Sequence, residues 1–161
     1  MTTNRRFAEG TSVSSDRSRA EIDSLLMRYG ANSFVYGMNA DSAMVAFEMR
    51  GRRIKFTLPM PNRSDEQFTM GVHRHSHKPV KLPPEKIAER YEQATRERWR
   101  ALVLCIKAKL ESVESKIETF EEAFLPHIVM NNGRTIGETL LPDIARLVDS
   151  SKLPPMLGAG H

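Results

Sequence analysis

The sequence predicts an α+β domain: an N-terminal helix on a three-stranded antiparallel meander, followed by a mainly helical half with a small hairpin. Three observations lead there. Apolar and polar residues alternate with a period of two over residues 33–61, the repeat of a sheet with one covered face. Apolar residues recur at intervals of three and four over residues 87–124, the repeat of a helix. Ser18/Glu21, Thr119/Glu122 and Thr135/Glu138 each have the spacing of a capping box, which marks a helix start.

Residues 1–14 are polar and are expected to form a flexible arm. The first helix is capped by Ser18, or one turn earlier by Ser14 or Ser15. It carries Ile22, Leu25, Leu26 and Tyr29 on one stripe and stops at Gly30. Strands follow at 34–38, 43–50 and 52–58. In the second, Val45, Phe47 and Met49 oppose Ala46, Glu48 and Arg50; in the third, Ile54, Phe56 and Leu58 oppose Arg53 and Lys55. Gly51 permits the tight reversal between them. Pro59 and Pro61 end the pairing, because proline has no N–H to donate. A meander this small needs a cover, which the first helix supplies.

Residues 62–82 show little periodicity and much positive charge, and read as a mobile basic loop. Pro83-Pro84-Glu85 opens the longest helix. Its stripe runs through Ile87, Tyr91, Ala94, Trp99, Leu102, Val103, Ile106, Leu110, Val113 and Ile117. From Ile106 the 4, 3, 4, 3, 4 spacing reaches Phe120 and Phe124, a seam on which a homo-oligomer could form. The Thr119/Glu122 box argues that the helix breaks near Glu118 and restarts. Asn131-Asn132-Gly133 turns a small hairpin between 128–130 and 134–136. A final helix is expected to bury Ile136, Leu140, Ile144, Leu147 and Val148, with Pro142 near its first turn. Residues 15–150 thus form a single domain, and 151–161 a flexible tail.

One domain suits 161 residues. A lone cysteine, Cys105, allows no internal disulfide and fits a reducing cytoplasm. No apolar run approaches the ~20 residues of a membrane span, and the N-terminus lacks the apolar core of a secretory signal. No membrane association is expected.

Charge is segregated. Over residues 50–81, eight Lys or Arg face only Asp65 and Glu66, a local charge of +6, while residues 111–122 hold five glutamates against Lys116. Such asymmetry points to an anionic partner. Arg50, Arg52, Arg53 and Lys55 are the candidate phosphate contacts, with Tyr36 as a base-stacking ring on the same face; Arg96 and Arg100 form a second patch. Trp99, inside that second cluster, reads as core. On a strand, the imidazoles of His73, His75 and His77 would share one side and suit zinc, copper or nickel. No cysteine or acidic ligand from a second element accompanies them, so neither metal nor cofactor is expected. Enzymatic signatures are missing: no phosphate-binding glycine loop, no G-x-S-x-G and no H-E-x-x-H. Cys105 lies in ALVLCIKAKL, an apolar helical context that keeps a thiol inert.

Four stretches together resemble a family of small uncharacterised bacteriophage and prophage proteins. They are FAEGTSVSSDRSR at 7–19, RRIKFTLPMP at 52–61, RERWRALVLCIKAKLESVES at 96–115 and TFEEAFLPHIVMNNGRTIGE at 119–138. The resemblance implies expression in a bacterial cytoplasm, and brings no catalytic residues. Two functions are expected from it and from the charge. The first is a non-enzymatic nucleic-acid-binding accessory protein of phage replication or recombination, its partner single- or double-stranded DNA. The second is a module that binds and inhibits or redirects a bacterial host protein, through the 111–122 acidic face or the C-terminal tail.

Overall fold

Ser14, not Ser18, starts the first helix. The computed structural model describes residues 6–148, and in it α1 spans Ser15–Arg28 with the Ser14 hydroxyl accepting from the Arg17 N–H at 3.2 Å. Ser18 falls on one face with Ile22 and Leu26, and all three are buried. Its position in that i, i+4, i+8 row takes it into the core instead of the cap. The Ser18 hydroxyl meets no hydrogen-bonding partner among the described residues.

The meander forms as expected. Strands β1 (Ser33–Met38), β2 (Ser42–Met49) and β3 (Arg52–Pro59) pair antiparallel in that order. Arg50 and Gly51 form the two-residue turn, at φ 51° and 72°, the left-handed geometry that matches strand twist. Ala43, Val45, Phe47 and Met49 of β2 and Ile54, Phe56 and Leu58 of β3 are buried. They face α1 and the 31-residue helix α3 (Pro84–Glu114), which contributes Trp99, Leu102, Val103, Ile106 and Leu110 to the same core.

The helix breaks where the second capping box predicts. Lys116 is left-handed at φ 58°, and Thr119 starts α4 (Phe120–Phe124) with both halves of the box formed. Ile117 lies in the break and is exposed. Ile106, Leu110, Phe120 and Phe124 are buried in this chain's own core. Four of the six seam positions are therefore buried within the monomer, with Val113 half-buried and Ile117 exposed.

The second hairpin joins the sheet at the free edge of β3. Ile128 bridges Ile54, the Val129 N–H donates to the Arg53 carbonyl at 2.8 Å, and Val129 bridges Thr135. Beyond it the expected final helix is divided into α5 (Ile136–Leu140), a 3-10 turn, and α6 (Ile144–Leu147). Pro142 is the cause. It has no N–H for the Glu138 carbonyl four residues back and its ring crowds that carbonyl, which instead accepts from the Arg134 guanidinium at 2.6 Å. The interruption leaves Leu140, Ile144 and Val148 about half exposed (48%, 49% and 51%) instead of buried.

Two segments carry more structure than their composition suggests. In place of the expected loop, residues 62–82 hold α2 (Glu66–Thr69) and an antiparallel hairpin of β4 (Met70–Val72) and β5 (Pro79–Lys81). The arm expected to be flexible is tied to α3 over residues 6–11: Arg6 pairs with Glu97 at 3.2 Å, and Gly10 donates to Glu97 at 2.9 Å. The tail expected at 151–161 lies outside the described residues.

Candidate nucleic-acid interface

Strand register decides which side chains share the outer face of the meander. Ser33, Glu48 and Arg53 form one row across the three strands, and Val35, Ala46 and Lys55 the next. Arg53 sits 3.1 Å from Glu48 directly across the strand pair. Lys55 reaches both oxygens of Glu138, at 2.9 and 3.2 Å. That bond, then the Thr135 N–H closing the third capping box, holds the Glu138 carboxyl below the usual carboxylate range. Arg52 lies 3.6 Å from Glu121, and the Arg50 guanidinium stacks 5.6 Å over the Phe120 ring. Three of the four meander cations are thus matched by carboxylates, and Arg52, opposite the buried Met49 at the strand end, lies on the other side of the sheet from Arg53 and Lys55.

Tyr36 is not on this face. It stands opposite Val45, a core residue, and the period of two puts it beneath the sheet, away from Arg53 and Lys55. Its ring lies 6.3 Å from Trp99 and its hydroxyl donates to Asp23 at 2.5 Å. Burial foremost, then that bond and the Asp23 charge, push the phenol pKa far above its ordinary value. The expected stacking platform is a structural tyrosine. Trp99 is buried, as expected, with the Arg19 guanidinium 5.4 Å from its ring. Of the second patch, Arg100 is half-buried and bound to Glu21 at 2.5 Å, while Arg96 pairs with Glu92 at 2.9 Å and with Gln93.

Unmatched cations among the described residues include Arg98 and Lys107 on α3, and three more lie close together in the chain on the β4–β5 hairpin. From Gln67 to Pro84 the chain has no carboxylate, and this run builds the β4–β5 hairpin. Arg74, Lys78 and Lys81 are exposed, and among the described residues none of them forms an ion pair. The base of the hairpin is fixed to the body. Phe68 is buried edge-to-face against Tyr91 at 6.0 Å. The Arg90 guanidinium donates to the carbonyls of Gln67 and Met70 at 3.1 and 3.0 Å, and Leu82 closes the neck by donating to Thr69 at 2.8 Å. The tip is closed by bonds from His73 N–H to the Lys78 carbonyl and from His77 N–H to the His73 carbonyl, at 2.8 and 2.9 Å. A signal existed in the sequence: the acid-free run itself. Strands of three residues are too short for alternation to reveal them.

Other candidates resolve as follows. The rings of His73 and His75 lie 6.1 Å apart, and the Ser76 N–H donates to His73 Nδ1 at 3.3 Å. Among the described residues no three His, Cys, Asp or Glu side chains are grouped to hold a metal ion. Cys105 is exposed, contrary to the apolar setting expected: Leu102, Val103 and Ile106 turn inward, which places residue 105 on the outward side of α3. On the same helix, Ala94, Ala101, Leu104 and Ala108 line an apolar cavity of about 520 Å3, with Phe68 and the fully exposed Phe7 at its edge. No helix of the described residues is long and apolar enough to cross a membrane.

No family model matches the chain, and no curated protein or solved structure matches it at a significant level.

Proposed function

We propose that this chain is a non-enzymatic nucleic-acid-binding accessory protein whose phosphate contacts come from the β4–β5 hairpin and not from the meander. One observation carries the reading. Arg74, Lys78 and Lys81 are exposed on an anchored hairpin and form no ion pair among the described residues, whereas Arg52, Arg53 and Lys55 already face Glu121, Glu48 and Glu138. A cation spent on an internal carboxylate contributes little to a phosphate; a free one releases condensed counterions when it binds. Arg96 lines the groove between α2 and α3 with Arg90 and Gln67, but its pairing with Glu92 counts against it as a phosphate contact. The resemblance to phage and prophage proteins implies a bacterial cytoplasm as context and suits a role in phage replication or recombination as well as the binding of a host protein.

Fluorescence anisotropy on labelled single- and double-stranded oligonucleotides across a salt series tests this. Each phosphate contact contributes a slope of about −0.9 in log K against log salt on duplex DNA and about −0.7 on a single strand. An R74Q/K78Q/K81Q variant should flatten the slope by about 2.7 on the duplex and about 2.1 on the single strand, and R53Q/K55Q should leave it unchanged. Parent-like binding by the hairpin variant would sink the assignment.

The second reading, a module that binds a host protein, is favoured by Phe7, which stands fully exposed at the edge of the apolar cavity on α3. The surface expected for that role is less available. Glu121 faces Arg52, Glu122 closes the α4 cap, and Glu118 accepts from Ser112.

A further inference from the structure

We infer that the nucleic acid taken by the hairpin is duplex DNA, entered through its major groove by the β4–β5 ribbon. The inference rests on the nucleic-acid reading above and narrows it.

Single strands are held by aromatic platforms on which successive bases stack. The described aromatic side chains are not placed for that. Trp99, Phe47, Phe56, Phe68, Phe120 and Phe124 are buried, Tyr36 lies under the sheet, and Tyr29 and Phe34 are half-buried against the core. Tyr91 is half-buried, covered by Phe68 and by the Arg63 guanidinium 5.9 Å from its ring. Phe7, the exposed one, stands on the N-terminal arm and not on the hairpin. On the hairpin itself the described rings are the imidazoles of His73, His75 and His77, which offer less stacking area than an indole or a phenyl ring.

The hairpin has instead the shape of a groove reader. Two paired strands are about 5 Å apart between backbones, and the three residues of each strand reach about 10 Å before the turn at 73–78. The major groove of B-DNA, about 12 Å wide and 8.5 Å deep, admits a two-stranded ribbon; the minor groove, about 6 Å wide, does not. From Val72 to Lys81 every residue is exposed, so the ribbon can enter without unpacking the core. Arg74 and the donors and acceptors of His73, His75 and His77 lie at the tip, where base edges would be met. Lys78 and Lys81 follow along the second strand, where the groove walls carry phosphate. Duplex RNA is excluded on the same grounds, because its major groove is deep and narrow.

The test is anisotropy of the full chain with a labelled DNA duplex of about 24 base pairs, one of its strands alone, and the matching RNA duplex. Duplex DNA should bind at least about tenfold tighter than either alternative. Methyl green, a major-groove ligand, should displace the protein, and netropsin, a minor-groove ligand, should not. The R74Q/K78Q/K81Q variant, substituted only at exposed positions and shown by its melting curve to be folded, should lose the preference for duplex DNA. Equal or tighter binding of the single strand, or displacement by netropsin alone, overturns the groove inference while nucleic-acid binding stands. Binding to none of the three overturns both.

Discussion

His127 stacks on Phe56 with ring centroids 3.9 Å apart, half-buried where the chain leaves α4 for the second hairpin. Burial foremost, and then the positive charge of Lys109, hold its imidazole below the ordinary value of 6.5, against an opposing hydrogen bond to the Lys55 backbone. The unfolded chain regains the ordinary value, so it binds more protons than the folded one between the two pKa values. Stability is therefore full above about pH 6.5 and falls as pH drops through that value toward the lower folded one. A His127→Phe variant keeps the stacking ring and removes the titration. Thermal melts from pH 7.5 to 5 should show a decline in the parent that this variant flattens; identical declines would show that the burial of His127 is not the cause. The exposed carboxylates act lower. Glu89, Glu122 and Glu138 are each held below 4.5 by hydrogen bonds, so what they add is present above that value and lost beneath it.

At the scale of elements, α5 is seated by close backbone approach. A Cβ on Gly137 would meet the Pro126 carbonyl oxygen at 2.6 Å, and that oxygen belongs to backbone that cannot swing aside. Gly137→Ala should therefore cost about 1–3 kcal/mol, measured by chemical denaturation, although alanine is the better helix former. Loss of less than about 0.5 kcal/mol would mean that α5 shifts freely. The elements also differ in how plainly the sequence declares them. The meander was legible because Val45, Phe47 and Met49 alternate over a full strand and Gly51 marks the reversal. The break before Thr119 was legible from its capping box. The final helix was misjudged because Ile136, Leu140, Ile144 and Val148 keep helical spacing, and periodicity alone cannot register what Pro142 does to the Glu138 carbonyl. Of the candidate site, the positive charge was visible and its neutralisation was not. Glu48 lies near Arg53 in sequence, but Glu138 is brought to Lys55 across 83 positions by the folded chain. Pairing at that range is a tertiary fact.

Across the whole molecule, Trp99 joins the layers. It is buried in α3 beneath Tyr36 of β1 and beside Arg19 of α1, so sheet and both helices share one side chain. Trp99→Ala should lower stability by about 3–5 kcal/mol, followed by circular dichroism since the change also removes the only tryptophan. A loss below about 1 kcal/mol would mean that the layers are held independently of it. The hairpin stands in contrast. It hangs from the body by the Arg90 fork and the Phe68–Tyr91 contact, and no residue from Val72 to Lys81 is buried. Substitutions at these exposed positions should change stability by no more than about 0.5 kcal/mol, so random drift can sample new sequences there without the protein ceasing to fold. Selection can then act on what the segment touches, separately from what keeps the chain folded. The molecule is built as a packed chassis that carries an exposed, rewritable cassette.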